Sequence, residues 1–180
     1  MTTPRQQKPI DVVASEVARV LTKVDRAGFG RFVARLRVPQ RAWFCTGQGR
    51  SGLVAQMAAM RLMHLGHQAH VVGEATAPAV TGDDTLLIVS ASGTTPVSLH
   101  LAQTARAVSA TVMLVTAASS SPLAQLADAT LEVPAHPSTQ FGGSLFEQSA
   151  LLVLDAAALA LGADDPYAHD AMHRRHANLQ

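Results

Sequence analysis

Beyond residue 40 the chain repeats one pattern: a short apolar run, a small polar turn, then a longer stretch with apolar residues at helical spacing. The short runs fall at 42–46, 69–73, 85–89, 111–116 and 131–133. They are apolar at successive positions instead of alternating, the mark of strands buried on both faces. Strands of that kind separated by helices predict an α/β fold, a parallel and doubly wound sheet with helices on both sides. Ligands of such sheets bind beyond the C-terminal ends of the strands. Two unusual turns sit at that edge: Gly47-Gln48-Gly49-Arg50-Ser51-Gly52 after the first run, and Ser90-Ala91-Ser92-Gly93-Thr94-Thr95 after the third.

The intervening stretches read as helices. Ile10, Val13, Val17, Leu21 and Val24 recur at helical spacing and predict an opening helix that ends near Gly28, with a second piece over 31–37 stopping before Pro39. Further helices are predicted from the Gly-rich turn to about Leu65, over 96–108, over 122–126 with Ser121 as cap, over 144–161, and over 165–175. With 180 residues, no low-complexity linker and no internal sequence repeat, the expectation is one domain over 1–180: N-terminal helices at about 10–37, a core at about 42–161, and a C-terminal helix and tail at about 165–180.

Composition removes several classes of function. The formal charge is +1, there is no basic run, and the lysines are Lys8 and Lys23 alone, so a nucleic-acid partner is not expected. A single cysteine, Cys45, excludes an intrachain disulfide; lying within a strand, it reads as core and not as a nucleophile. The N-terminus is polar and shows no signal sequence. The longest apolar stretch, 151–161, is short for a bilayer and contains Asp155. A cytoplasmic protein without a membrane partner is the expectation.

The chemistry-bearing residues concentrate in three places. The Ser/Thr-rich turn offers four hydroxyls, on Ser90, Ser92, Thr94 and Thr95, beside backbone N–H groups at a helix N-terminus. That suits a phosphate, although an ordinary capped helix start would use the same residue types. In the Gly-rich turn, Gly47 and Gly49 permit close backbone approach while Arg50 and Ser51 offer polar groups; a plain tight turn and a ligand loop both fit. Glu147 stands near the start of an otherwise apolar helix, which suits a general base. Its setting, Ser144-Leu145-Phe146-Glu147, is also a capping box, the reading that spacing alone favours. The eight histidines, including His169, His173 and His176 on one face and His64, His67 and His70 around another helix end, lack cysteine partners. The carboxylates near the first group are Asp164 and Asp165, and no metal is expected. Met57, Met60 and Met63 read as helix packing.

Taken together, these motifs resemble the SIS (sugar isomerase) domain family and, within it, the 6-phospho-3-hexuloisomerases. The resemblance rests on Gly47 to Gly52, Arg61-Leu62-Met63-His64-Leu65-Gly66, Val72-Gly73-Glu74 with Thr76 and Pro78, Ser90 to Thr95, the Ser144-to-Glu147 segment, and His176-Ala177-Asn178-Leu179. It implies a three-layer αβα sandwich around a five-stranded parallel sheet of flavodoxin-like winding. It also implies a homo-oligomer, commonly a tetramer with sites near subunit boundaries. The implied reaction interconverts 3-hexulose 6-phosphate and fructose 6-phosphate through a cis-enediol, within the ribulose monophosphate route of formaldehyde fixation, with 3-hexulose-6-phosphate synthase as a pathway partner and no cofactor. Carried onto this chain, Ser90, Ser92, Thr94 and Thr95 would hold phosphate, and Gly47, Gly49, Arg50 and Ser51 would line the sugar. Glu147 would be the base, with His176 reaching the substrate of a neighbouring subunit. The chain departs from the family at Thr94, where Glu is common, and at Gln180, where the family commonly ends in Glu. A sugar-phosphate-binding module without catalysis, or an isomerase of another phosphosugar, are the competing readings.

Overall fold

A computed structural model describes residues 8–163 and 165–179; Asp164, Gln180 and the first seven residues of the polar N-terminus lie outside the described residues. The strands are β1 (Trp43–Gly47), β2 (Ala69–Val71), β3 (Thr85–Val89), β4 (Thr111–Thr116) and β5 (Ala129–Glu132). All pair in parallel, in the order β2-β1-β3-β4-β5. This is the flavodoxin-like order, which reverses direction between β1 and β3.

The helices are α1 (Pro9–Lys23), α2 (Arg26–Leu36), α3 (Arg50–His64), α4 (Pro96–Ala107), α5 (Pro122–Leu126), α6 (Ser144–Gly162) and α7 (Ala168–Arg175). Successive strand residues point to opposite sides. Trp43, Cys45, Leu87, Val89, Met113 and Val115 pack with buried residues of α1, α2, α3 and α6. Phe44, Leu86, Ile88, Val112 and Leu114 pack with α4 and α5. With both faces covered, the strands are mostly apolar at successive positions, as the runs predicted, and the threonines Thr46, Thr85 and Thr116 are buried with them.

Several expectations are corrected. The opening helix does not run to Gly28: it stops at Lys23, and Asp25 caps α2 by accepting from the backbone N–H groups of Ala27 (3.1 Å) and Gly28 (2.8 Å). Val20 and Val24 before the break and Phe32 after it join one core, so the apolar period continues through the break and hides it. Helix α6 has 19 residues and is long and apolar enough to cross a membrane, unlike the shorter run counted in sequence. It is nonetheless a core helix, burying Leu145, Phe146, Ala150, Val153, Leu154 and Ala157. Its Asp155 accepts from Nε of Arg61 on α3 at 3.0 Å. Met57 and Met60 are not internal packing: with Leu53 they form an exposed stripe along α3.

Four of the six grouped histidines pack on rings. His67 meets the edge of Trp43, His70 tilts against Phe44 at 5.3 Å, and His64 stacks on His176 at 5.3 Å between ring centres. Among the described residues no cluster of three metal-ligating side chains forms. Burial pushes the Cys45 thiol up to about 12, far from a thiolate nucleophile.

Candidate active site

The reversal of strand order fixes where a ligand can sit. Gly47 at the end of β1 pairs with Val89 at the end of β3, so the two unusual turns leave the sheet side by side. From there the chain departs to opposite faces, into α3 on one and α4 on the other, and opens a crevice between the turns. The N-termini of both helices face this edge, bringing two positive dipole ends and their unpaired backbone donors.

In the first turn the glycines divide their work. A Cβ on Gly47 would lie 2.6 Å from the carbonyl oxygen of Ser51, and one on Gly52 would lie 2.8 Å from that of Gly47. These two let β1 and α3 pack closely. Gly49 adopts φ 59° and ψ −131° as the N-cap of α3 and borders open space. The tight-turn and ligand-loop readings therefore both hold, at different positions.

In the second turn the ordinary-cap reading fails. Thr95 is the N-cap of α4, yet among the described residues no side chain makes a capping hydrogen bond there. The hydroxyls face one another and the loop's own backbone. Ser90 Oγ accepts from the Gly93 N–H (3.3 Å) and lies 3.5 Å from Thr95 Oγ1. Ser92 Oγ accepts from the N–H (3.3 Å) and the hydroxyl (3.0 Å) of Thr94. Ser92 and Thr94 are exposed. The loop is anchored from behind: the Leu123 N–H donates to the Gly93 carbonyl, and the Ala117 N–H to that of Ala91.

Glu147 joins this site from a third direction, and the capping box does not form. Gly143, not Ser144, is the N-cap of α6, with no side-chain capping bond among the described residues. The Glu147 carboxylate instead accepts from Nε of Arg50 at 2.8 Å, with the glutamate side chain 13% exposed and the arginine 60%. Ninety-seven residues separate the partners, so no local spacing signalled the pair.

His176 is not brought to this place within one chain. It stacks on His64 at the far end of α3, whose length puts the two ends about 21 Å apart. Arg175 secures that end by donating from Nη1 to the His64 carbonyl at 3.0 Å, and its guanidinium lies against Gly66. The two segments that most narrowly carried the family resemblance, around His64 and His176, thus touch each other.

One feature went unsignalled in sequence apart from the polar run Ser138-Thr139-Gln140. That run, leading from β5 to α6, converges on Glu16 of α1. Cavities of about 500 and 340 Å³ lie elsewhere, one between α3, α6 and α7 and one beside Phe44 and Leu101; neither includes a crevice residue named above. Chemistry, not enclosed volume, singles out the crevice.

A family model described as the SIS domain matches residues 38–160. The chain is 40% identical over 179 residues to the 3-hexulose-6-phosphate isomerase of Mycobacterium gastri, with 95% of this chain and 89% of that protein covered. It is 38% identical over 146 residues to the protein of the same name from Bacillus subtilis, covering 76% and 79%. A crystal structure from Methanococcus jannaschii, for which a molecular function of 3-hexulose-6-phosphate isomerase is inferred, superposes with a TM-score of 0.84 at 27% identity, covering 95% and 98%.

Proposed function

The chain belongs to the SIS domain family, and from that membership we propose that it is a sugar-phosphate isomerase interconverting 3-hexulose 6-phosphate and fructose 6-phosphate. The observation that carries the reading is the meeting, at one switch point, of a hydroxyl loop that does not cap its helix, a Gly-rich turn and a carboxylate from a third element.

The geometry supports the following roles. Ser90, Ser92, Thr94 and Thr95 and the first N–H groups of α4 hold the phosphate without a lysine. Thr94 adds a neutral hydroxyl donor to that loop. Gly47, Gly49, Arg50 and Ser51 line the sugar. Glu147 takes the proton from C2, which is acidified by the neighbouring C3 carbonyl. Electrons flow toward O3, which takes up a proton to give a C2=C3 enediol; as O2 gives up its proton, the proton returned to C3 leaves the carbonyl at C2 and a hydroxyl at C3. Arg50 keeps the carboxylate turned into the crevice and supplies positive charge as the enediol gains negative character.

In this reading His176 enters from a second copy, which its position a helix length from Glu147 within one chain supports. The working unit is therefore a homo-oligomer, read as a tetramer, formed from one SIS domain per chain over 1–180. It acts in the cytoplasm on a hexulose phosphate that a synthase of the formaldehyde-fixing route supplies.

The test is a coupled assay of 3-hexulose 6-phosphate conversion, run on the parent and on Glu147→Gln, with and without EDTA. Loss of at least about 10²-fold in turnover in the variant, with EDTA without effect, is the expected outcome. A folded variant with parental turnover would remove Glu147 from the mechanism. A folded parent that binds phosphosugar without converting it would leave a binding module.

A further inference from the structure

Helix α6 carries Glu147 in its first turn but begins without a capping side chain among the described residues. Something else must fix where that turn points. The segment entering it, 137–143, is irregular, yet its polar groups find partners in the fold. Four of its donors converge on the single carboxylate of Glu16, which projects from α1. These are the Ser138 hydroxyl to Oε2 (2.8 Å), the Thr139 N–H (2.8 Å) and hydroxyl (2.9 Å) to Oε1, and the Gln140 amide to Oε2 (3.0 Å). Arg19, one turn further along α1, donates to the carbonyl of Pro137.

The strap continues into α6. Gln148, the neighbour of Glu147, donates from Nε2 to Oε1 of Gln140 at 2.9 Å. Gly143 lies against the Glu147 carboxylate, so closely that a Cβ there would come within 2.8 Å of Oε1. The Glu147 N–H donates to the Gly143 carbonyl at 3.0 Å. From Glu16 to Glu147 the path is thus continuous: carboxylate, loop, Gln140–Gln148 bridge, first turn of α6. On the other side the carboxylate meets Arg50.

We propose that Glu16 is a positioning residue for the isomerisation: by holding the 137–143 loop onto α1, it fixes the first turn of α6 and aims the Glu147 carboxylate into the crevice. The proposal rests on the reading of Glu147 as the base. Glu16 belongs to α1, away from the Gly-rich and Ser/Thr-rich turns, so it acts on the proton-transfer step and not on phosphate capture. Geometry errors of about 1 Å at a reacting group cost up to about 10²-fold in rate, so the effect is readable kinetically.

The experiment compares the full-length parent with Glu16→Gln, Gln148→Leu, Glu147→Gln and the Glu16→Gln/Glu147→Gln double variant in the hexulose-phosphate assay, with circular dichroism and melting curves alongside. Glu16→Gln is expected to lower kcat about tenfold or more while KM changes by less than about twofold, the signature of an interaction used in the reacting complex. In the Glu147→Gln background the same change is expected to cost nothing further, because its route of action is already cut. A merely structural residue would act independently of Glu147, whatever its effect on melting. Gln148→Leu leaves the four bonds to Glu16 intact, severs only the bridge, and removes a buried Oε1 that has no partner among the described residues; it covers the case in which Glu16→Gln does not fold. It too is expected to lower kcat with KM kept. Parental kcat in Glu16→Gln, or in Gln148→Leu when the first variant is unfolded, would overturn the proposal, as would a full Glu16 effect on top of Glu147→Gln. Parental turnover in Glu147→Gln itself would bring down the base assignment and this proposal with it, a result distinct from the others.

Discussion

A methyl group added at Gly47 would press on the backbone of Ser51 within the first turn of α3, where neither partner can swing away. Gly47→Ala is expected to destabilise the chain by about 1–3 kcal/mol, read as a lowered midpoint in thermal melting. Gly30, inside α2 and exposed, has nothing within 4 Å of its would-be Cβ. Gly30→Ala should raise stability by about 0.5–1 kcal/mol in the same melt, because alanine loses less freedom in a helix. Glu16 adds a pH-dependent effect. Donation from the Thr139 backbone, then from Gln140 and Ser138, holds its carboxyl down at about 2 instead of 4.5. A lowered folded-state value means the unfolded chain binds the proton first as pH falls. The stabilisation is therefore complete above about 4.5 and is lost as pH drops toward 2. Melting measured from pH 5 to 2 should fall less steeply in Glu16→Gln than in the parent. The Arg50–Glu147 pair, with its arginine largely exposed, contributes little to stability, so variants there report on activity and not on folding.

Among the elements, α3 joins the crevice to the histidine stack, with Arg50 at its start and His64 at its finish. His64 is buried, and its protonation is disfavoured first by that burial, then by His176 and Arg61; Arg175 also lies against this end. The unfolded chain therefore takes up the proton near pH 6.5 while the folded one resists. Stability is fully present above 6.5 and is lost as pH falls below it. Melting points between pH 7.5 and 5.5 should show this slope, and His64→Phe, which keeps a flat ring for the stack, should reduce it without abolishing it, since His67 is shifted in the same direction by burial and Arg175. How legible these elements were depended on the range of the forces that define them. β3, β4 and α5 with its Ser121 cap were readable to the residue because period and cap are local. The α1–α2 break was not, since one core serves both helices. The Ser/Thr loop was legible by composition and place. Glu147 was legible as a candidate, but its partner was not, and local spacing favoured a cap that the fold replaces with Arg50. Glu16, more than a hundred residues from the loop it holds, left no pattern that a scan along the chain could detect.

At the scale of the whole molecule, the proposed sharing of one site between copies, Glu147 from one and His176 from another, makes a distinctive prediction. Glu147→Gln and His176→Ala, each nearly inactive alone, should recover activity when denatured together and refolded as a mixture. Random pairing across a two-fold interface would restore about a quarter of the parental turnover, in the sites that receive both native residues. No recovery from a mixture shown to contain hetero-oligomers would place His176 outside the reaction.

The strand order has one more consequence. Because β2 lies outside β1, residues 72–84 must carry the chain back across the sheet before β3 can pair beside β1 and bring the two turns together. The crevice therefore has no existence in a partly unfolded chain, and whatever binds there binds the native state alone. A phosphosugar at a hundred times its Kd then adds about 2.7 kcal/mol to the folded state. In a cell that clears unfolded chains by proteolysis, the supply of substrate would help set how many copies of the enzyme survive to use it.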